Sequence, residues 1–325
     1  MRCIAVTFPG LESVTQEEIK AVFHARAKKL LPGRLLFSLK ERPETARLRS
    51  VTALYEYVDH FKFTTLPQIL TRIRKLDVSR IEEPFMVRCH RTGDHPFRSQ
   101  EAEREAGAII YHHSLKVSLS APKTIVYLDV FGKYCLVGLL LGENLSRRAY
   151  RLHTHNASIN AALAFALVKM ADVKKDHILV DPFCKDGVIP IEAALAGGRK
   201  VYGFDESLHT IRGARVNARL AKVEVELSKY DVSWLDTKFP ERGVDVVVTS
   251  PPFPSKRRKE EDVRKLYQEF FYQLRYILKK KGRVVVVSPQ STLLKQAAAQ
   301  MKFRLVTEFT VQVKQLPLVV LIWTA

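Results

Sequence analysis

Ser250, Pro251, Pro252 and Phe253 follow the apolar run Val246–Val248, and these residue types could orient an amine for group transfer. Proline has no backbone N–H, so the turn offers mainly carbonyl acceptors, while the Phe253 ring offers a face on which a base can stack. Acceptors on one side and a ring on the other would aim an exocyclic amine at an electrophilic carbon. The turn therefore indicates amine methylation, with an ordinary loop ending a strand as the competing interpretation.

A second group of candidate residues lies on the loop after the predicted strand 178–183. Ligands of open α/β sheets bind at the carboxyl edge of the strands, and a glycine lets the backbone approach a ligand closely. This loop is therefore predicted to bind a cofactor, through Asp181, Phe183, Cys184 and Gly187.

Two more acidic positions end the next predicted strands: Asp205, followed by Glu206, and Asp231, followed by Val232. In such sheets a carboxylate at the second strand end accepts hydrogen bonds from ribose hydroxyls, and we expect Asp231 to meet an adenine amine. Acidic strand ends suit a nucleoside with a positive sulfonium, S-adenosylmethionine, better than a pyrophosphate. The sequence has no GxGxxG or GxxxxGK[ST] motif, which disfavours NAD and ATP. Taken singly, Asp205 could instead cap the following helix.

The elements that must position these residues alternate between strands and helices from residue 156 onward, beginning with a predicted apolar helix at 156–170. This order predicts a Rossmann-like, doubly wound α/β domain with a seven-stranded sheet and a closing hairpin. Residues 1–150 read as one or two small α+β modules, with predicted elements that include a strand at 34–39 in the first and segments at 85–89 and 124–141 in the second.

The combined motifs resemble the THUMP-domain tRNA guanine-N2 methyltransferases, a class I S-adenosylmethionine-dependent family, over essentially the whole chain. DPFCKDGVIPIEAA is similar to that family's DPFCGSGTIPIEAA, GFDESLHTIRGARVNA to its acidic ribose segment, and SPPF to its catalytic [DN]PP[YF]. VRCHRTGDHPFRSQEAEREAG and LSRRAYR resemble its RNA-binding module and linker, and TFPGLE the opening of a ferredoxin-like module. The resemblance implies a ferredoxin-like domain at 1–58, a THUMP domain at 59–145 and a methyltransferase domain at 146–325.

The same resemblance implies N2-methylguanosine formation in tRNA, with the THUMP region binding the acceptor stem and 3′ end. The target nucleotide would leave its helix and stack on Phe253, because a paired base is out of reach. Basic residues would contact phosphates and so fix position without reading sequence. The predicted RNA-binding residues are Arg91, Arg98, Arg147, Arg148, Arg151, Lys256, Arg257 and Arg258.

The chain departs from the family pattern in two segments, the cofactor loop and the SPPF turn. Lys185 and Asp186 replace Gly-Ser in the cofactor loop, and Ser250 replaces Asn or Asp before the two prolines. Lys185 could turn outward to RNA, or it could clash with the methionine portion of the cofactor or repel its sulfonium. Two other hypotheses therefore stay open: a tRNA-binding THUMP protein without catalysis, and a methyltransferase acting on DNA adenine or on a protein glutamine.

Composition supports an RNA partner, because a net charge of +19 over 325 residues suits binding to phosphates. The four cysteines are widely spaced and form no Cys-x-x-Cys pair, so we expect a protein of the reducing cytoplasm with neither disulfides nor a metal site. We also expect a monomer. The most apolar stretch, 125–141, is interrupted by Asp129 and Lys133, which argues against a membrane span. His112-His113 and His153-x-His155 lack an evident third ligand, which favours surface or RNA-facing histidines over a metal centre.

Overall fold

The structure is a computed structural model that describes residues 1–112, 115–256, 258–313 and 316–325. The chain divides into two compact units. The first comprises Met1–Val6, Ile19–Leu48 and Thr52–Leu145, and the second comprises Thr7–Glu18, Arg49–Val51 and Ser146–Ala325. The second unit therefore includes two short segments from the N-terminal part of the sequence.

The first unit contains a seven-stranded sheet with the order β2-β3-β1-β4-β7-β6-β5. Its pairs are antiparallel except β5 with β6. The predicted boundary between residues 58 and 59 falls within β4. The elements up to residue 142 are β1 (Arg2–Val6), α1 (Glu12–Phe23), β2 (Lys28–Leu31), β3 (Arg34–Ser38), β4 (Ala53–Lys62), α2 (Leu66–Ile73), β5 (Phe85–Thr92), α3 (Ser99–Tyr111), β6 (Thr124–Phe131) and β7 (Tyr134–Gly142).

A buried ion pair lies inside the first unit. The Arg34 guanidinium donates Nε and Nη2 to the two carboxylate oxygens of Asp129 at 2.9 and 2.7 Å, and the Tyr55 hydroxyl donates to the same carboxylate. These contacts compensate a charge that burial alone would penalise. The pKa of Asp129 is accordingly lowered to about 2, because the neighbouring Arg34 and its hydrogen bonds outweigh the opposing effect of burial.

The second unit is the predicted doubly wound domain, and its sheet has the order β10-β9-β8-β11-β12-β14-β13. The first five strands in that order are parallel, and β14 runs antiparallel between β12 and β13. Its elements are α4 (Ala161–Met170), β8 (Ile178–Asp181), α5 (Val188–Leu195), β9 (Lys200–Asp205), α6 (Leu208–Leu220), β10 (Glu226–Lys229), α7 (Leu235–Lys238), β11 (Val244–Thr249), α8 (Glu260–Ile277), β12 (Leu278–Ser288), α9 (Thr292–Gln300), β13 (Arg304–Val313) and β14 (Leu316–Thr324).

Both faces of this sheet are covered, which explains why its strands read as continuous apolar runs. Val246 and Val248 of β11 belong to a core cluster with α4 and α5, whereas Val247, between them, belongs to a second cluster with α8 and α9. Successive side chains of a strand point to opposite faces, so β11 contributes to both cores. Because helices cover both faces, a ligand can reach this sheet at the ends of its strands.

Several sequence predictions for individual elements were wrong. The region 124–141, predicted as a single segment, is two strands: it forms the hairpin of β6 and β7, because the chain turns at Gly132, which has a φ of 53°. β2 and β4 were missed, since charged residues interrupt their apolar patterns. The helix predicted from residue 156 begins at Ala161, where the Asn160 side chain caps it by accepting from the backbone N–H of Ala162 at 2.8 Å.

Candidate active site

The order of the second sheet creates a crevice between β8 and β11. From β8 the chain proceeds outward through β9 and β10, whereas β11 and β12 lie on the other side of β8. A reversal of this kind is the topological switch point, and the carboxyl ends of the two flanking strands form the ligand-binding crevice of open α/β sheets. Residues 182–187 follow β8 and residues 250–253 follow β11, so both predicted motifs border this crevice.

The loop after β8 is held by its own backbone. The N–H of Cys184 donates to the carbonyl of Phe204 in β9 at 2.8 Å, and the N–H of Gly187 donates to the carbonyl of Cys184 at 2.8 Å. Gly187 has a φ of 80°, where a side chain is strained, and a Cβ there would lie 3.1 Å from the Ala214 Cβ. Cys184 is buried and burial raises its pKa well above the ordinary value, so it fills space and does not act as a nucleophile.

Lys185 crosses the crevice. Its ammonium nitrogen Nζ donates to the main-chain carbonyl of Ser250 at 2.5 Å, and the residue is 8% exposed. Burial lowers the pKa of the Lys185 ammonium, while the carboxylates of Asp181, Asp205 and Asp186 oppose that shift by favouring the charged form. The structure thus brings the two departures from the family pattern, Lys185 and Ser250, into direct contact.

Asp181 ties the two strand ends together. Its Oδ1 accepts from the hydroxyl of Thr249, the last residue of β11, at 2.6 Å and from the backbone N–H of Phe183 at 3.1 Å. Within the described part of the chain, its buried Oδ2 has no hydrogen-bond partner. Burial raises the pKa of Asp181 to about 7, although these hydrogen bonds and Lys185 lower it. A buried acceptor that protein groups leave free suits a ligand carrying donors or positive charge.

Asp205 and Asp231 stand on the side of the crevice toward β10. The Asp205 carboxylate is held by two backbone N–H groups, from Ser207 at 3.0 Å and from Lys185 at 3.2 Å. Asp231 Oδ1 accepts from the backbone and hydroxyl of Ser233 at 2.9 and 2.8 Å. A small cavity of about 70 Å³ contacts Lys185, Asp205, Asp231, Val232 and Pro252, among others.

A wider opening of about 330 Å³ adjoins that small cavity. The two share Glu206, Tyr230 and Asp231, and the wider one also contacts Lys229 and Trp234. Trp234 is largely exposed, so its ring is accessible to an aromatic ligand. Arg258 donates to Glu206 at 3.1 Å across the small cavity.

The turn after β11 has the character expected of a base-binding surface. Phe253 is 37% exposed, Pro251 is buried, and Ser250 and Pro252 are intermediate. The hydroxyl of Tyr267, on α8, donates to the Pro252 carbonyl at 2.6 Å, and Tyr267 itself is fully buried. This contact fixes the position of the turn from below and leaves the exposed ring of Phe253 free for stacking.

Some of the predicted RNA-binding residues are exposed, and others are bonded to protein groups. Arg98 belongs to the first unit, Arg147 and Lys256 belong to the second, and all three are exposed. Arg91 donates to the carbonyl of His95 at 3.1 Å. Arg257 lies outside the described residues.

Arg148 and Arg151 are occupied by carboxylates within the second unit. Arg148 Nε donates to Glu192 at 2.9 Å, and Arg151 Nη2 donates to Asp186 at 2.8 Å. Glu192 is fully buried and also accepts from Arg49 and from the Tyr150 hydroxyl. These two ion pairs hold the segment before α4 against α5 and the loop that precedes it. Arg148 and Arg151 therefore have a structural role, and we do not propose them as phosphate contacts.

Sequence reasoning did not identify two residues that shape the site. Thr249 carried no signal of its own, although it immediately precedes the SPPF turn. Tyr267 lies on α8, outside all of the motifs, and its contact with Pro252 is visible only in three dimensions. Among the described residues, no group of three or more His, Cys, Asp or Glu side chains could hold a metal ion.

All four cysteines are free and buried. Among the described residues, no helix combines the length and apolarity needed to cross a membrane.

Comparison with known proteins matches two family profiles to the chain. Residues 148–317 match the RMKL-like methyltransferase domain family, and residues 63–140 match the THUMP domain. The tRNA (guanine(6)-N2)-methyltransferase of Methanocaldococcus jannaschii is 29% identical, over 93% of this chain and 94% of that protein. The human U6 snRNA (guanine-N(2))-methyltransferase THUMPD2 is 28% identical, over 56% of this chain and 36% of that protein.

The same relationship appears in solved structures. TrmN from Thermus thermophilus superimposes with a TM-score of 0.81 at 27% identity, and the match covers 99% of each chain. The matched methyltransferase segment contains both loops of the crevice, Asp181–Gly187 and Ser250–Phe253, at the switch point of a Rossmann-like sheet. The chain belongs to the RMKL-like methyltransferase domain family and carries an N-terminal THUMP domain.

Proposed function

We propose that this protein is an S-adenosylmethionine-dependent methyltransferase that forms N2-methylguanosine in tRNA. The observation that carries the proposal is the buried Oδ2 of Asp181, which no described group engages, at the point where Asp181 joins the end of β8 to Thr249 at the end of β11, because it leaves an acceptor for a positively charged ligand between the two loops. The chemistry has precedent among relatives that act on different RNAs. The archaeal relative is named for tRNA and the human one for U6 snRNA, yet both names specify guanine N2.

The residues of the crevice fit S-adenosylmethionine. Asp205 and Asp231 would hold the ribose and the adenine, with Glu206 and Val232 beside them, and Asp181, Phe183, Cys184 and Gly187 would border the methionine end. The Lys185 ammonium marks a position in the crevice where a positive sulfonium would be favourable, because Asp181, Asp205 and Asp186 all favour a positive charge there. When bound, the cofactor would supply an electrophilic methyl group.

Lys185 also sets a condition for this fit. A second positive charge in the same crevice would be repelled, so the ammonium must leave the Ser250 carbonyl before the cofactor is fully seated. Departure of Lys185 would release that carbonyl as an acceptor. The side chain therefore acts as a reversible occupant of the site.

On the acceptor side, the protein would bind and orient the base. The Phe253 ring would stack on the extruded guanine, and the carbonyls of Ser250 and Pro251 would accept from its exocyclic amine. The Pro252 carbonyl is already bonded to Tyr267, so it positions the turn and does not receive the substrate. Orientation is the main requirement, since the transfer is direct and no covalent enzyme intermediate is needed.

We further propose that the substrate guanosine lies in the acceptor stem and that the THUMP region binds the tRNA 3′ end. Relatives from two archaea are named for guanine at position 6, which is an acceptor-stem position. Arg91 and Arg98 on the first unit, and Arg147, Lys256 and Arg258 on the second, are the basic residues we assign to phosphate contacts. Arg258 is retained although it pairs with Glu206, because that pair is solvent-exposed, whereas buried carboxylates hold Arg148 and Arg151. The protein would act as a monomer in the cytoplasm.

The test is methyl transfer from labelled S-adenosylmethionine to a tRNA transcript, followed by nucleoside analysis. We expect N2-methylguanosine in a transcript with guanosine at position 6 and none when adenosine replaces it. Label on adenine or on protein would refute the assignment to guanine N2. Label on another guanosine would refute only the position.

One observation favours a second candidate, a tRNA-binding protein without catalysis: the buried Lys185 ammonium stands in the crevice. Calorimetry separates the two candidates. Binding of S-adenosylmethionine, alone or with tRNA, supports the enzyme, whereas no binding under both conditions supports the binding protein.

A further inference from the structure

A cavity of about 270 Å³ lies within the second unit, beside the N-terminal half of α6. Residues 153–155 form one wall, and His209, Arg212 and Gly213 of α6 form another. Asp186 contributes from the cofactor loop. We call this space the histidine cavity, because His153, His155 and His209 all border it.

The walls of the histidine cavity are held by a buried amide. Asn217, fully buried on α6, accepts from the His153 N–H at 3.0 Å, donates to the His153 carbonyl at 2.7 Å and donates to the Asp186 carbonyl at 3.0 Å. Gly213 permits this approach, since a Cβ there would lie 3.0 Å from the His153 Cβ. The main chain of His153 is therefore held against α6 by the fold.

The polar groups around the cavity include several that can donate hydrogen bonds: the Arg212 guanidinium, the imidazoles and two threonine hydroxyls. Asp186, which brings the one carboxylate of the lining, is already paired with Arg151 at 2.8 Å and with the Ser158 hydroxyl at 2.5 Å. Arg212 is exposed, and within the described part of the chain no hydrogen bond or ion pair engages its guanidinium. Arg212 thus brings a positive charge to the cavity, while the negative charge of Asp186 is balanced by its ion pair with Arg151.

The tautomer of His155 adds a directed donor. Its Nδ1 accepts the backbone N–H of Ala157 at 3.1 Å, so the neutral ring carries its proton on Nε2. His209 and Thr210 belong to the first turn of α6, a helix of 13 residues, whose N-terminal partial charge favours an anion. Exposed arginine, imidazole donors and a helix N-terminus together match the charge and oxygen acceptors of a phosphate group.

We propose that the histidine cavity binds a backbone phosphodiester of the substrate RNA next to the modified guanosine. This inference rests on the proposed function. Asp186 joins the cavity to the cofactor loop, because it is the residue between Lys185 and Gly187. A phosphate in the cavity would therefore be held on the far side of the loop that borders the crevice, and it would fix the RNA chain relative to the reacting base.

The test is the salt dependence of tRNA binding, measured with wild-type protein and with Arg212→Ala, His155→Ala and the double variant. Loss of one phosphate contact should reduce the slope of log K against log salt by about 1. We expect the double variant to lose about tenfold in tRNA affinity at low salt. Binding of S-adenosylmethionine should be unchanged, since neither residue borders the crevice.

Arg219→Ala is the matched control, because Arg219 is also exposed on α6 but lies outside the cavity. Equal losses for Arg212→Ala and Arg219→Ala would overturn the proposal in favour of general electrostatic attraction, as would an unchanged slope in the double variant. If wild-type protein binds no tRNA, the proposed function fails as well. If it binds tRNA and the cavity variants bind equally well, only this inference fails.

A free phosphate source is distinguished by competition. If the cavity selects a phosphodiester within an RNA chain, inorganic phosphate at millimolar concentration should not compete for it. Phosphate should then weaken tRNA binding by wild-type protein no more than sodium chloride of the same ionic strength does. Stronger competition that disappears in the double variant would instead identify the cavity as a site for free phosphate and overturn the RNA assignment.

Discussion

The Lys185 ammonium and the Ser250 carbonyl are joined by a hydrogen bond of 2.5 Å that spans the crevice between β8 and β11. Lys185 also has a φ of 51°, a left-handed conformation that favours glycine. The family pattern has glycine at this position, so the chain has introduced a strained residue and a buried charge together. Such a combination at a ligand-binding loop points to a role in controlling occupancy of the crevice.

Replacing Lys185 should tighten cofactor binding. Lys185→Gly removes the ammonium and relieves roughly 1 kcal/mol of backbone strain, so we expect S-adenosylmethionine to bind about tenfold more tightly because the repelling charge is gone. Isothermal calorimetry measures this directly. Lys185→Met is the matched control, since it removes the charge but keeps the bulk and the strain. Weaker binding by both variants would show that the ammonium assists the cofactor.

Phe253 should matter for the base and not for the cofactor. Phe253→Ala removes the proposed stacking surface, and stacking of a base on an aromatic ring contributes about 1–3 kcal/mol. We expect methyl transfer to tRNA to fall by about 10- to 100-fold with S-adenosylmethionine affinity unchanged. Phe253→Tyr keeps an aromatic face and should retain most activity. Full activity of the alanine variant would exclude stacking at this position.

Tyr267 should act through the SPPF turn. Tyr267→Phe deletes the hydroxyl that donates to the Pro252 carbonyl but keeps the buried ring, so we expect a loss of about 1 kcal/mol in the free energy of unfolding. The rate of methyl transfer should fall while the affinities for cofactor and tRNA persist, because the turn loses its fixed position. A stability loss without any change in rate would reduce Tyr267 to a packing residue.

Asp181 should make the stability of the second unit depend on pH. Its pKa is raised by burial to about 7, above the ordinary value of 3.8, so the folded protein binds this proton more tightly than the unfolded chain. The contribution of this group is fully present below about pH 4 and is lost as pH rises through 7. The free energy of unfolding of Asp181→Asn, relative to that of wild type at the same pH, should therefore be higher at pH 8 than at pH 5.

Urea titrations at pH 5 and pH 8 measure that difference. Tryptophan fluorescence suits the experiment, because Trp234 and Trp323, the two tryptophans of the chain, both belong to the second unit. The side-chain amide introduced by Asp181→Asn can still accept from Thr249, so the link between β8 and β11 is preserved. The same pH dependence in both proteins would show that Asp181 does not titrate in this range.

Much of the second unit could be predicted from the sequence, because its strands are buried on both faces and its helices carry clear boundary residues. The seven strands and the closing hairpin follow from that pattern. The first unit was harder to predict. Charged residues interrupt β2 and β4, as in the strand Ala53–Lys62, and the apolar stretch 124–141 conceals a turn at Gly132.

The chemistry of the site was predictable where a motif is contiguous and not where contacts join distant segments. The strand-end acids and the SPPF turn were identified from their order along the chain. The contacts of Asp181 with Thr249 and of Tyr267 with Pro252 depend on sheet register and helix packing. The basic run around Arg148 resembled an RNA-binding surface, but its carboxylate partner, Glu192, is 44 residues away.

A structure determined with S-adenosylhomocysteine bound tests the central claim most directly, namely that the crevice between residues 182–187 and 250–253 is the methyl-transfer site. We expect adenosine between Asp205 and Asp231, the sulfur near the SPPF turn, and the Lys185 ammonium displaced from the Ser250 carbonyl. A product bound elsewhere on the protein, or a crevice still spanned by Lys185 at saturating product, would contradict it.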